Sequence, residues 1–213
     1  MKIIIQNISF FIIVIFAAIP SAFAGTFHIK PNMTDQINLM IENANPGDTI
    51  YFDSGKYMLS HTIFIHKKHS LTLIAGENSE FILKDKKTIV FLISSSDNIL
   101  LKNIKARHIK PIYPGQYCSG EVVSVYESHD VEIINAELNG SGTIGVDITN
   151  SLNIRISDSY LHHNTVAAIS LTGLTDGIII ENNRIINNPK FLETKLTKDQ
   201  LEKYVVFKNN TFE

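Results

Sequence analysis

A column of asparagine and aspartate runs through the second half of the chain: Asn103, Asn135, Asp158, Asn182 and Asn209. Each closes a run with two alternating apolar residues, Ile99 and Leu101, Val131 and Ile133, Ile154 and Ile156, Ile178 and Ile180, Val205 and Phe207. Each is followed three positions later by another apolar residue: Ala106, Leu138, Leu161, Ile185 and Phe212. A second set of apolar pairs lies eight or nine residues before four of these runs: Phe91 and Ile93, Val123 and Val125, Val146 and Ile148, Ile169 and Leu171. From Val131 to Ile154 is 23 residues, and from Ile154 to Ile178 is 24. Self-similarity at a fixed period specifies a solenoid, and alternation within each run specifies strands. One coil therefore reads strand, turn, strand, Asn corner, short strand, loop.

The corner residues have a physical reason. A sharp turn between strands needs left-handed backbone, which Asn and Asp tolerate best after Gly. Stacking puts equivalent side chains about 4.8 Å apart, so their amides can bond along the stack.

The N-terminal part adds a second pattern. Thr34 to Ala44 reads as a short helix with Ile37, Met40, Ile41 and Ala44 on one face. Pro46-Gly47-Asp48-Thr49-Ile50 and then Gly55-Lys56-Tyr57 follow. With these residues the chain resembles the right-handed parallel β-helix proteins of the pectate-lyase-like superfamily over residues 26–213. Many secreted members begin with a capping helix, a Pro-Gly-Asp-Thr-Ile strand and a Gly-x-Tyr turn. The resemblance implies an all-β fold: a right-handed parallel β-helix with a short N-terminal capping helix, spanning residues 25–213.

Residues 1–24 read as a cleaved signal peptide. Lys2 is the positive end, Ile8 to Ile19 the apolar stretch, and Ala22-Phe23-Ala24 the small-x-small site. Gln6, Asn7 and Ser9 interrupt the apolar stretch, which is short for a membrane span. Export to a periplasm or the outside follows, with no other segment able to span a bilayer. A formal charge of −2 argues against a nucleic-acid surface. The lone Cys118 cannot form an internal disulfide.

The resemblance also assigns faces. In that superfamily the first strand of each coil floors the active-site groove of lyases and hydrolases. Its outward positions here form two columns: Phe64, Leu92, Ser124, Asp147, Ser170, and His66, Ser94, Tyr126, Thr149, Thr172. The loops 107–121, 139–145, 162–166 and 189–203 are expected to leave one corner, after the third strand. The first and last are long, and are expected to wall a groove whose floor is Asp147. The last contains a short helix opened by a Thr197-x-x-Gln200 capping box.

Asp147, Glu121, His162 and His163 are the candidate catalytic residues. Arg107, His108, Tyr113, Tyr117, Ser124, Tyr126 and Ser170 are the candidate substrate contacts. An elimination on a uronic-acid sugar needs a base and a positive group for the developing enolate, whereas a hydrolase needs two carboxyls at a set separation. The motifs of polygalacturonases (Asn-Thr-Asp, Asp-Asp, Gly-His-Gly, Arg-Ile-Lys), the Arg-x-Pro-x-x-Arg and clustered calcium-binding acids of pectate lyases, and the Asp-Pro-His-Asp of alginate epimerases are absent from the sequence. No His-x-x-x-His, His-Glu-x-x-His or Cys-x-x-Cys metal spacing occurs, and no cofactor is specified. Three functions fit: a noncatalytic β-helix that binds a polysaccharide or other surface through its groove, a lyase- or epimerase-like enzyme, or a structural solenoid. The chain stops just after Phe212 in a core column, which leads to an expectation of end-to-end self-association.

Overall fold

The computed structural model describes residues 24–109, 120–140 and 143–212. The signal-peptide expectation, apart from Ala24, lies outside these residues. Among the described residues the strands form three parallel sheets, of eight, six and seven strands, each pairing with its equivalent in the next coil. The six-stranded sheet collects the first strand of each coil, the eight-stranded sheet the second, and the seven-stranded sheet the third. Among the same residues no helix is long and apolar enough to cross a membrane.

The apolar columns point inward as their alternation requires. Ile99, Leu101, Val131, Ile133, Ile154, Ile156, Ile178 and Ile180 are all at most 1% exposed. The last rung differs. Phe207 and Phe212 occupy core columns but are 40% and 49% exposed, because among the described residues no further coil covers them.

The Asn corner is left-handed at every member, with φ of 61° at Asn103, 52° at Asn135, 53° at Asp158, 56° at Asn182 and 53° at Asn209. Side-chain amides bond along the stack from Asn135 to Asn103 (2.8 Å) and from Asn209 to Asn182 (3.3 Å). The corner's burial is secured one residue later. The Ser159 amide donates to Asn183 Oδ1 (2.9 Å), and Asn183 Nδ2 donates to the Ile156 carbonyl (2.9 Å). A serine column does the same at the turn before the second strand: the backbone amides of Ser96 and Ser128 donate to the hydroxyls of Ser128 and Ser151, both at 3.1 Å.

The N-terminal helix is present, as a 3-10 turn (Pro31–Gln36) running into α1 (Ile37–Asn43). Ile37 and Ile41 are buried against the first coils. Asn38 also closes a sheet edge. Its amide donates to the Thr62 carbonyl (2.8 Å) and accepts from the Phe64 backbone N–H (2.9 Å), standing in for a missing strand.

The segment 189–203 is not the corner insertion expected from the sequence. Leu192–Thr194 is the first strand of the next coil and pairs with Ile169, Ser170 and Leu171. The helix α2 (Lys198–Tyr204) follows it and so leaves the corner between first and second strands. The apolar-pair rule conceals this strand, because only Leu192 of the pair Leu192 and Thr194 is apolar. The capping box is formed: Gln200 N donates to Thr197 Oγ1 (3.3 Å) and Thr197 N to Gln200 Oε1 (2.8 Å).

Candidate functional site

The outward face of the first-strand sheet carries a row that is polar from Ser124 onward. Leu92, Ser124, Asp147, Ser170 and Glu193 are successive register partners, so they stand side by side across five coils. Ser124 and Ser170 are nearly covered, whereas Asp147 is partly exposed between them. In the neighbouring column Thr149 Oγ1 donates to Asp147 Oδ2 (3.1 Å) and lies 2.6 Å from the Thr172 hydroxyl. Tyr126 ends its strand exposed, and hydrogen bonding to Glu127 raises its hydroxyl above the usual phenol value.

Glu121 lies close enough to Asp147 for their charges to interact. Burial pushes the Glu121 carboxyl above its ordinary value, and the Asp147 charge adds to that rise. Its own backbone and the Thr143 hydroxyl, 3.5 Å away, pull the other way. One carboxyl that holds its proton more tightly next to a second is the arrangement that separates a proton donor from a base.

The other expected residues lie elsewhere. The strand Tyr160–His162 belongs to the third-strand sheet, paired with Glu137–Asn139 and Arg184–Ile186. His162 there stacks on Tyr160 at 3.9 Å between ring centres and sits 3.5 Å from Glu137 Oε1. Burial, partly opposed by Glu137, holds its imidazole below the usual histidine value. His163 occupies a left-handed position (φ 55°), with its Nδ1 2.7 Å from that of His162. The structure thus groups Glu121 with Asp147, and groups the two histidines with Glu137 and Tyr160. Arg107, also on the third-strand sheet, is held by Glu80 at 2.7 Å. His108 is fully buried, with Nδ1 and Nε2 each 3.0 Å from the carbonyls of Gly140 and Thr88, so its ring anchors backbone and presents nothing to a ligand. Tyr113 and Tyr117 fall outside the described residues.

A concavity of about 650 Å³ follows the Asn corner between the second- and third-strand sheets. Asn135, Asp158 and Asn182 line one side, and Lys105, Glu137 and Tyr160 the other. The sequence marks this corner only as a turn, but the outward third-strand column, Lys105, Glu137, Tyr160, was readable two residues beyond each corner Asn or Asp. Among the described residues no three His, Cys, Asp or Glu side chains are grouped to hold a metal ion.

Three parallel sheets, stacked corner residues and a polar first-strand face define a parallel β-helix. Residues 88–213, more than half of the chain, match the family described as a right-handed β-helix region, and the chain belongs to that family. Solved structures with the same fold include a putative glycosyl hydrolase from Parabacteroides merdae ATCC 43184, at 13% identity and TM-score 0.66 over 87% of this chain and 91% of that one. The pectate lyase Pel9A aligns at 13% identity and TM-score 0.67 over 87% of this chain, which spans only 53% of the lyase. A polygalacturonase from Erwinia carotovora ssp. carotovora aligns at 10% identity and TM-score 0.58, over 89% of this chain and 69% of that one. At these identities the likeness is one of fold. No curated protein matches the chain.

Proposed function

We propose that the protein is an exported β-helix that binds a polysaccharide across the outer face of its first-strand sheet. The observation that carries this reading is the row Ser124, Asp147, Ser170 and Glu193, joined through Thr149 to Thr172. The partly exposed groups of this face, the carboxylates of Asp147 and Glu193 and the hydroxyls of Thr149 and Thr172, recur at multiples of one strand spacing, about 4.8 Å, and suit a polymer that offers hydroxyls at a regular interval. Tyr126 adds an exposed ring at the border of the row, a surface on which a sugar can lie. The leader-like residues 1–24 support export to the periplasm or the outside. Two of the structural relatives bear the names of polysaccharide-degrading enzymes, a pectate lyase and a polygalacturonase.

A second reading rests on the raised carboxyl of Glu121 next to Asp147. In it the same face does chemistry, with Glu121 as proton donor and Asp147 as base. His162 and His163, on the third-strand sheet, take no part at this position.

One experiment separates the two. The protein is incubated with neutral and uronic-acid polysaccharides, following column retention, reducing ends and absorbance of unsaturated ends. Retention with both product signals flat is the expected result. New reducing or unsaturated ends would establish the enzyme reading, and neither retention nor products on any polymer would reject both.

A further inference from the structure

The cleft along the Asn corner lies on a different part of the coil from the first-strand face and has its own chemistry. Its corner wall steps through Asn103, Asn135, Asp158 and Asn182. Three steps at about 4.8 Å make it roughly 14 Å long, the length of a few sugar units in an extended chain. The facing wall is the outward column Lys105, Glu137, Tyr160, Arg184, whose members are register partners.

The corner wall is interrupted in the middle. In the amide ladder the Nδ2 of one coil donates to the Oδ1 of the coil before it, as Asn135 does to Asn103 and Asn209 to Asn182. Asp158 has no side-chain N–H to give to Asn135 Oδ1, and its backbone N–H donates to the Glu181 carbonyl. Among the described residues no side-chain donor reaches its carboxylate, which is exposed together with Asn135 and Asn182. Of the two cations on the facing wall, Lys105 is spent on Glu137 at 3.0 Å and Arg184 lies over the Tyr160 ring, 4.9 Å from its centre. The centre of the cleft is therefore rich in hydrogen-bond acceptors that lack donors. Sugar hydroxyls supply such donors, and adjacent hydroxyls match the two oxygens of a carboxylate. A polyanion would bring further negative charge against Asp158.

We propose that this cleft is a second carbohydrate site, one that takes an extended neutral oligosaccharide lying parallel to the stack, with Asp158 accepting hydrogen bonds from neighbouring hydroxyls. It does not depend on the first-strand face.

Isothermal titration calorimetry of the whole protein with cellohexaose, maltohexaose, mannohexaose, xylohexaose and hexagalacturonate tests this. Three proteins are compared: the parent, Asp158→Asn and Asp147→Asn. The expected result is binding of at least one neutral hexaose by the parent and by Asp147→Asn. Asp158→Asn should weaken it about tenfold or more, the loss of one charge-assisted hydrogen bond. Asn suits the left-handed corner, so Asp158→Asn should melt no lower than the parent, which separates lost binding from lost fold. The proposal is overturned if no neutral hexaose binds, if Asp158→Asn binds as the parent does, if only Asp147→Asn loses binding, or if hexagalacturonate binds more tightly than every neutral hexaose.

Discussion

The side-chain amide of Asn135 donates to the Oδ1 of Asn103 across one coil at 2.8 Å, and the ladder stops there because the next corner residue is Asp158. The geometry of the corner is unchanged, with φ of 52° at Asn135 and 53° at Asp158. What is missing is a donor. Asp158→Asn restores one, and it adds an amide in a conformation that Asn tolerates well. We expect a higher melting temperature, reflecting about 1 kcal/mol for one net hydrogen bond. A melting temperature below the parent's would show that Asp158 stabilises the corner in some other way.

The residue after the corner carries more of the stability than the corner itself. Asn183 is 1% exposed, accepts the Ser159 N–H and donates to the Ile156 carbonyl. Asn183→Ala leaves both buried backbone groups without their partner, at a cost of about 1–3 kcal/mol for each. Denaturant unfolding measures this. A midpoint equal to the parent's would contradict the assignment of Asn183 as the bond that holds the turn.

Glu121 gives stability a pH dependence of definite sign. Its folded carboxyl lies above the ordinary 4.5, so the folded state holds a proton that the unfolded chain releases first. Between 4.5 and the raised folded value, stability contributed by this group falls as pH rises, and above that window the ionised carboxylate is a standing cost. Glu121→Gln should therefore raise the melting temperature at neutral pH, and the gain should vanish below pH 4.5, where both states are protonated. A gain that persisted at low pH would locate the effect outside ionisation.

How much of this was legible in the sequence differs by level. The core columns were readable because alternation and period act together: a one-residue slip would turn Ile154 and Ile156 outward. The buried turn bonds were present but unread. Ser96, Ser128 and Ser151 each stand three residues before the first core residue of the following strand, at Ile99, Val131 and Ile154. The strand at Leu192–Thr194 was hidden by a threonine in a core column, and that displaced α2 to the wrong corner. For the site, the register placed Asp147 between Ser124 and Ser170, as seen. The partners of His162 and the burial of His108 depend on how the coil bends between sheets, which strand alternation does not encode.

The last rung exposes Phe191, Phe207 and Phe212, with ring centres 5.9 Å apart for the first two and 5.0 Å for Phe191 and Phe212. A contiguous exposed aromatic cluster favours association. Light scattering of this chain is expected to show a mass that rises with concentration, and Phe191→Ser with Phe212→Ser should remove the rise. A monomer at every concentration would contradict this role for the cluster.

The most direct test of the account is retention of the parent and of Asp147→Asn on immobilised polysaccharides. The substitution keeps size and removes the charge at the centre of the first-strand row, where Thr149 Oγ1 donates to Asp147 Oδ2. The account predicts that at least one polymer retains the parent but lets Asp147→Asn elute early, although Asp147→Asn melts as the parent does. Equal retention of the two proteins on every polymer, or retention of neither on any polymer, would contradict it.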